Sequence, residues 1–285
     1  MPYDHRKLLA LALPLALPLA LTACGGAAGP AAPQQSRTAD AKPGTSADAK
    51  PSASATAASP GLPLAGRTVV IDPGHNPGNF RHSTEINKKV DIGTTRKECD
   101  TTGTSTNAGY TEAAFTLDVS HRLRDLLKKQ GAEVVLVHDA ERPYGPCIDE
   151  RARIGNAAKA DAVVSVHADG SATGNRGFHV ILPARVSGGS ADTATIVGPS
   201  RTLGEEIVTH FARATGSSPA NYIGSGTGLD VRDDLGGLNL STVPKVFLEC
   251  GNMRDPKDAA LLTDAAWRQK AAQGIANGIG AYLEG

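Results

Sequence analysis

The chain has 285 residues, enough for one large domain or two small ones. Its 29 basic and 29 acidic residues cancel, which argues against a phosphate-tracking surface and so against nucleic acid as a partner. Aromatic residues make up only 4% while Gly and Pro are abundant, so part of the chain contributes nothing to a core.

Arg6 and Lys7 precede an apolar run from Leu8 to Leu21, the pattern of a secretory leader. The run is short for a spanning helix, and Pro14 and Pro18 interrupt it. It ends in Leu21-Thr22-Ala23-Cys24, which resembles a bacterial lipobox. Residues 1–23 are therefore expected to be a lipoprotein signal peptide, with Cys24 the lipidated first residue of the mature protein. An ordinary cleaved leader is the alternative. Residues 24–63 form an Ala/Pro/Ser/Gly-rich stretch whose only large apolar side chain is Leu62. Such a segment cannot offset its ordering entropy and is expected to be a disordered tether. A coil of this length spans roughly 35 Å. The expected location is outside the cell, anchored by lipid to the outer face of the cytoplasmic membrane and facing the wall.

From residue 64 the pattern becomes strand, loop and helix in repetition. RTVVID (67–72) reads as a strand, and residues 111–131 as a helix with Thr111 as N-cap and Gly131 as its stop. Ala114, Leu117, Val119, Leu123, Leu126 and Leu127 supply that helix with an apolar stripe. Strands are expected at 132–139, 161–169, 177–183 and 245–251, and helices at 148–160, 200–216 and in one or two pieces over 255–285. Strands alternating with helices predict an α/β fold, a single domain over 64–285 with a mostly parallel twisted sheet flanked by helices.

In such sheets functional groups collect beyond the carboxyl ends of the strands. Those ends carry His75, His167 and Glu249, and Glu112 opens the first long helix. Catalytic zinc takes three protein ligands and leaves a position open for water, whose pKa the ion lowers. A further carboxylate can then move the proton to the leaving amine. This assigns His75, Glu112 and His167 as ligands of one zinc per chain and Glu249 as general base and acid, although either Glu could take either role and the spacing alone is a weak signal. Asp72 could orient a ligand or cap the Pro73-Gly74 turn. His82, close to His75, could line the cleft, and Arg232 could hold a substrate carboxylate or be a solvated loop charge. His121, His138, His179 and His210 read as structural. Export permits disulfides. Cys99 and Cys147 lie in polar, turn-rich contexts and Cys250 follows an apolar strand, so the expected bridge is Cys99–Cys147 with Cys250 a free core thiol. All three thiols reduced is the alternative.

VVIDPGHNPG (69–78), NAGYTEAAF (107–115), VVSVHADG (163–170) and VFLECGNM (246–253) resemble, in order, the four signatures of the zinc-dependent N-acetylmuramoyl-L-alanine amidases of the type 3 family. The resemblance covers roughly residues 66–284, and the Cys99–Cys147 insertion is similar to that of compact actinobacterial and mycobacterial members. It implies that His75, Glu112 and His167 hold zinc and that Glu249 is catalytic. It also implies that the chain cuts the amide between N-acetylmuramic acid and the L-alanine of the stem peptide, with peptidoglycan or muropeptides as partner. A monomer is expected. Two departures bear on cleft shape: Asn76 stands where many members have Gly, and Cys250-Gly251-Asn252-Met253 replaces a common Gly-Phe ending. The competing readings are a zinc carboxypeptidase acting on stem peptides and a metal-free wall-binding protein.

Overall fold

The computed structural model describes residues 61–285. The leader, Cys24 and all of the expected tether except Gly61–Pro63 lie outside the described residues. In chain order the elements are β1 (Thr68–Pro73), α1 (Ser83–Ile86), β2 (Lys89–Asp91), β3 (Arg96–Glu98), α2 (Glu112–Lys129), β4 (Glu133–Leu136), α3 (Ile148–Ala157), β5 (Ala162–Asp169), β6 (His179–Pro183), β7 (Ser187–Gly188), β8 (Ala191–Asp192), α4 (Val197–Thr215), β9 (Leu229–Arg232), α5 (Gly236–Asn239), β10 (Lys245–Asn252), α6 (Pro256–Thr263) and α7 (Ala265–Glu284). The main sheet runs β4-β1-β5-β10-β6-β9, and every pairing in it is parallel except β10 with β6. The fold class is that read from the sequence: one α/β domain with a mostly parallel sheet.

The inner strands are apolar on both faces, as a sheet covered by helices on both sides requires. Because side chains alternate, each strand divides its residues between two cores. Val69 and Ile71 of β1, Val164 and Val166 of β5, and Val246 and Leu248 of β10 join the main core with α2, α4 and α7. Val70 and Val163 face the other way, into a smaller cluster with Ile154 and Ala158 at α3. By the same alternation Asp72, Ser165, His167, Lys245, Phe247 and Glu249 project on the α3 side. The polar residues singled out at the strand ends therefore share one face.

Helix α2 begins and ends as expected. The Thr111 side chain accepts from the Ala114 amide, and Gly131 follows with a φ of 93°. Its buried stripe is Phe115, Val119, Leu123 and Leu127, spaced by four, with Leu126 at the margin. Ala114 and Leu117 are only half-buried, so the stripe is rotated from the expected one. Full burial of one such side chain is worth about 1.5–3 kcal/mol. The antiparallel hairpin β2–β3, strand β9 and α5 were not anticipated. They are short, and they wall the cleft.

Candidate metal centre

Strand order reverses at β1. The chain leaves it through α2 to β4 on one side and returns through α3 to β5 on the other. The crevice beyond the carboxyl ends of β1 and β5 is the switch point where α/β sheets bind ligands. His75 lies just past β1 and His167 near the end of β5, while Glu112 is the first residue of α2. Their ligand atoms lie within 4.8 Å of one another. The Glu112 carboxylate is 3.1 Å from His75 Nε2 and 3.0 Å from His167 Nδ1.

Two glycines make the approach possible. A Cβ on Gly74 would lie 2.4 Å from the His167 ring. A Cβ on Gly103, whose φ is 72°, would meet His75 and Glu112 within 2.8 Å.

The surrounding bonds orient each group. His75 Nδ1 donates to the Thr101 carbonyl at 3.1 Å, which turns Nε2 toward Glu112. Glu112 accepts from the amides of Thr104 at 2.9 Å and Ala168 at 3.2 Å. Phe247 stacks on the His167 ring at 5.1 Å. Burial opposes charge on Glu112, but His75 and His167 outweigh it and hold the carboxyl far below the usual carboxylate range. Burial likewise works against an imidazolium at His75, and Glu112 and Asp100 overcome it and push that ring up. Two imidazoles and a carboxylate, each held by outer hydrogen bonds, match a zinc site in donor type and number.

Glu249 lines the same cleft but is not in the converging set. In the sheet it stands opposite His167 on one side and His179 on the other. Its Oε2 is buried without a hydrogen-bond partner, and burial, then the charges of Glu112 and Asp169, push its carboxyl up.

Beneath the site runs a buried ionic chain that sequence reasoning did not foresee. Lys245 Nζ lies 3.0 Å from Asp72, Asp72 2.7 Å from Arg151, and Arg151 2.9 Å from Asp100. Asp100 in turn faces His75 Nδ1 at 3.6 Å. Asp72 therefore neither caps the turn nor touches a ligand; it is the inner link of a neutral two-plus-two network. Arg151 also donates to the His75 carbonyl at 2.9 Å. Cys99 and Cys147 form a disulfide, and Cys250 is a free buried thiol. The bridge joins the residue before Asp100 to the N-cap of α3, one turn before Arg151.

Two expected substrate contacts are placed differently. Arg232 lines the cleft, but it lies on β9 and its Nε and Nη2 already hold Asp234, each at 2.8 Å, so the edge expected to grip a substrate carboxylate is occupied. Lys97 of the β2–β3 hairpin holds the same carboxylate at 2.9 Å. His82 does not line the cleft; its ring packs on Tyr144 at 5.2 Å and pairs with Glu85. His179, read from the sequence as structural, is buried opposite Glu249 with Nδ1 unpartnered among the described residues. Only strand register, which no local pattern carries, brings it there.

Fold and site together define an α/β protein with a two-histidine, one-carboxylate centre at the sheet's switch point. Residues 69–281 match the N-acetylmuramoyl-L-alanine amidase family, and the chain belongs to that family. It is 41% identical over 221 residues to N-acetylmuramoyl-L-alanine amidase Rv3717 of Mycobacterium tuberculosis, covering 77% of this chain and 88% of that protein. Crystal structures of the amidase Ami1 superpose with a TM-score of 0.71. The Mycobacterium smegmatis structure is 38% identical and covers 77% of this chain and 98% of that one. The apo form from Mycobacterium abscessus is 41% identical and covers 77% and 100%. The catalytic domain of CwlV from Bacillus (Paenibacillus) polymyxa, at 23% identity and a TM-score of 0.57, shares the fold.

Proposed function

We propose that this chain hydrolyses the amide between N-acetylmuramic acid and the L-alanine of the stem peptide, with one zinc ion held by His75, Glu112 and His167. The observation that carries this is the convergence of those three ligand atoms within 4.8 Å beside the unpartnered carboxyl of Glu249. When bound, zinc would supply positive charge that polarises the scissile carbonyl and makes water acidic enough to attack near neutral pH. Thr101 keeps His75 in the tautomer whose Nε2 is free, and the Thr104 and Ala168 amides fix the Glu112 carboxylate. Glu249 takes the proton of the attacking water and returns it to the alanine nitrogen as the C–N bond breaks, so the products are a lactyl carboxylate and a free amine. Its Oε2, buried without a partner, has no competing hydrogen bond. Phe247 keeps one face of His167 dry.

We further infer that the domain works as a monomer on a tether of residues 24–63, anchored through lipid at Cys24. A stem-peptide carboxypeptidase finds no support in a specific feature of the cleft.

Glu249→Gln tests the assignment. It keeps size and removes the base, so hydrolysis of purified peptidoglycan, read as newly freed alanine amino groups, should fall by about 10²- to 10⁴-fold. Zinc content by elemental analysis should stay at one per chain. Lost zinc would make Glu249 a ligand, and near-normal turnover would give the proton to another group.

A further inference from the structure

Phe80 exposes 64% of its surface, yet the turn that carries it is built rigidly. It sits in the 3₁₀ turn Asn79–Arg81 that follows β1. Beneath it Asn79, fully buried, donates to the Thr101 carbonyl at 2.7 Å and accepts from the Gly145 amide at 2.9 Å. Asn76, also buried, donates to the Gly145 carbonyl at 2.8 Å and accepts from the Gly78 amide at 2.8 Å. The Arg81 guanidinium lies 4.9 Å over the ring. A mobile aromatic would lose entropy on binding; one held in place this way has already lost most of it.

The ring borders a groove of about 520 Å³ whose other walls include Thr102, Gly103, Thr104, Ser105 and Thr111. That volume lies within the ~300–1,000 Å³ usual for small-molecule sites. No charged side chain lines it. Gly103 and Thr104 also line the metal cleft, so the groove adjoins it. The lining of the metal cleft, by contrast, includes Asp169 and Arg232.

The two halves of a muropeptide differ in the same way. The stem peptide carries carboxylates. The sugar strand is uncharged once its lactyl carboxyl is tied in the scissile amide, and each ring offers hydroxyls at its edge and C–H groups on its face. An aromatic ring beside a wall of hydroxyls and backbone suits the faces and edges of the sugar. We propose that the Phe80 groove is the subsite for the N-acetylated sugar strand of the substrate, with Phe80 as its stacking platform. This rests on the amidase reading above, because that reading sets a sugar on one side of the scissile bond.

The test is direct binding of uncharged, peptide-free N-acetylglucosamine oligosaccharides to the full chain, followed by NMR. Amide signals of residues 102–105 should shift on titration. Phe80→Ala should weaken binding by about five- to tenfold, and Phe80→Trp should retain it. Both variants should fold, since the side chain is exposed. Equal affinity in wild type and Phe80→Ala, no binding by wild type, or shifts in 102–105 produced by free stem peptide instead would each overturn the subsite. Hydrolysis is read separately. Phe80-dependent glycan binding by a protein that frees no alanine amines would refute the amidase reading and leave the subsite standing.

Discussion

His75 leaves β1 with a φ of 60°, a conformation that costs a non-glycine residue roughly 1–3 kcal/mol. Arg151 on its carbonyl and Thr101 on its Nδ1 hold it there, and the strained turn is what directs Nε2 at Glu112. His75→Ala or His167→Ala should each abolish stoichiometric zinc, measured by elemental analysis after dialysis; full occupancy in both would reject the ligand set. Asp72 tests the layer below. Burial disfavours its charge, but Lys245 and Arg151 hold it well below the usual value of 3.8. Its contribution to stability is therefore complete above that value and lost as pH falls beneath it. Asp72→Asn leaves two buried cations short of a partner and should cost about 3–5 kcal/mol at pH 7. In urea unfolding, the gap between wild type and variant should narrow below pH 4, where the carboxyl takes up a proton in the unfolded chain while Lys245 and Arg151 still keep it ionised in the folded one. A gap independent of pH would mean that the ionised form is not the one that matters.

The disulfide acts on the segment between β3 and α2. Cys99 anchors a run in which Asp100 and Thr101 face His75, Gly103 passes between His75 and Glu112, and Thr104 donates to Glu112. Tying Cys99 to the start of α3 sets that run against Arg151. Closing a loop of 48 residues stabilises the fold by about 4 kcal/mol in the chain-entropy model. The paired change Cys99→Ser with Cys147→Ser should therefore lower stability by about 2–5 kcal/mol and also weaken zinc binding, because outer hydrogen bonds to ligands are typically worth 10- to 100-fold in metal affinity. Calorimetry and competition with a chromophoric chelator read the two effects separately. A variant less stable but with unchanged zinc affinity would confine the bridge to folding.

At the scale of the molecule, both cores and all the site residues fall within the described residues 61–285. No helix there is long and apolar enough to cross a membrane. The lipid anchor proposed at Cys24 is tested separately: Cys24→Ala should move the protein from the membrane to the soluble fraction without changing hydrolysis of solubilised peptidoglycan. Retention in the membrane fraction would place the anchor elsewhere.

Much of this architecture is local information and could be read directly. Short β-branched and apolar runs marked β1, β5, β6 and β10, Thr111 and Gly131 bounded α2, and strand ends picked out His75, His167 and Glu249. The α/β class followed, because alternation and capping depend only on near neighbours along the chain. What the tertiary structure decided depends on register and on contacts between residues far apart in sequence. Asp72, Arg151 and Lys245 come from three distant elements, and a buried charge in a strand or helix carries no local sign of its partner. The same holds for Asp100 behind His75, for His179 opposite Glu249, and for Asp234 on the Arg232 side chain. The short elements that wall the cleft were missed because two to four residues are too few to show a period, and because their stability comes from packing against the sheet, which a sequence pattern does not contain.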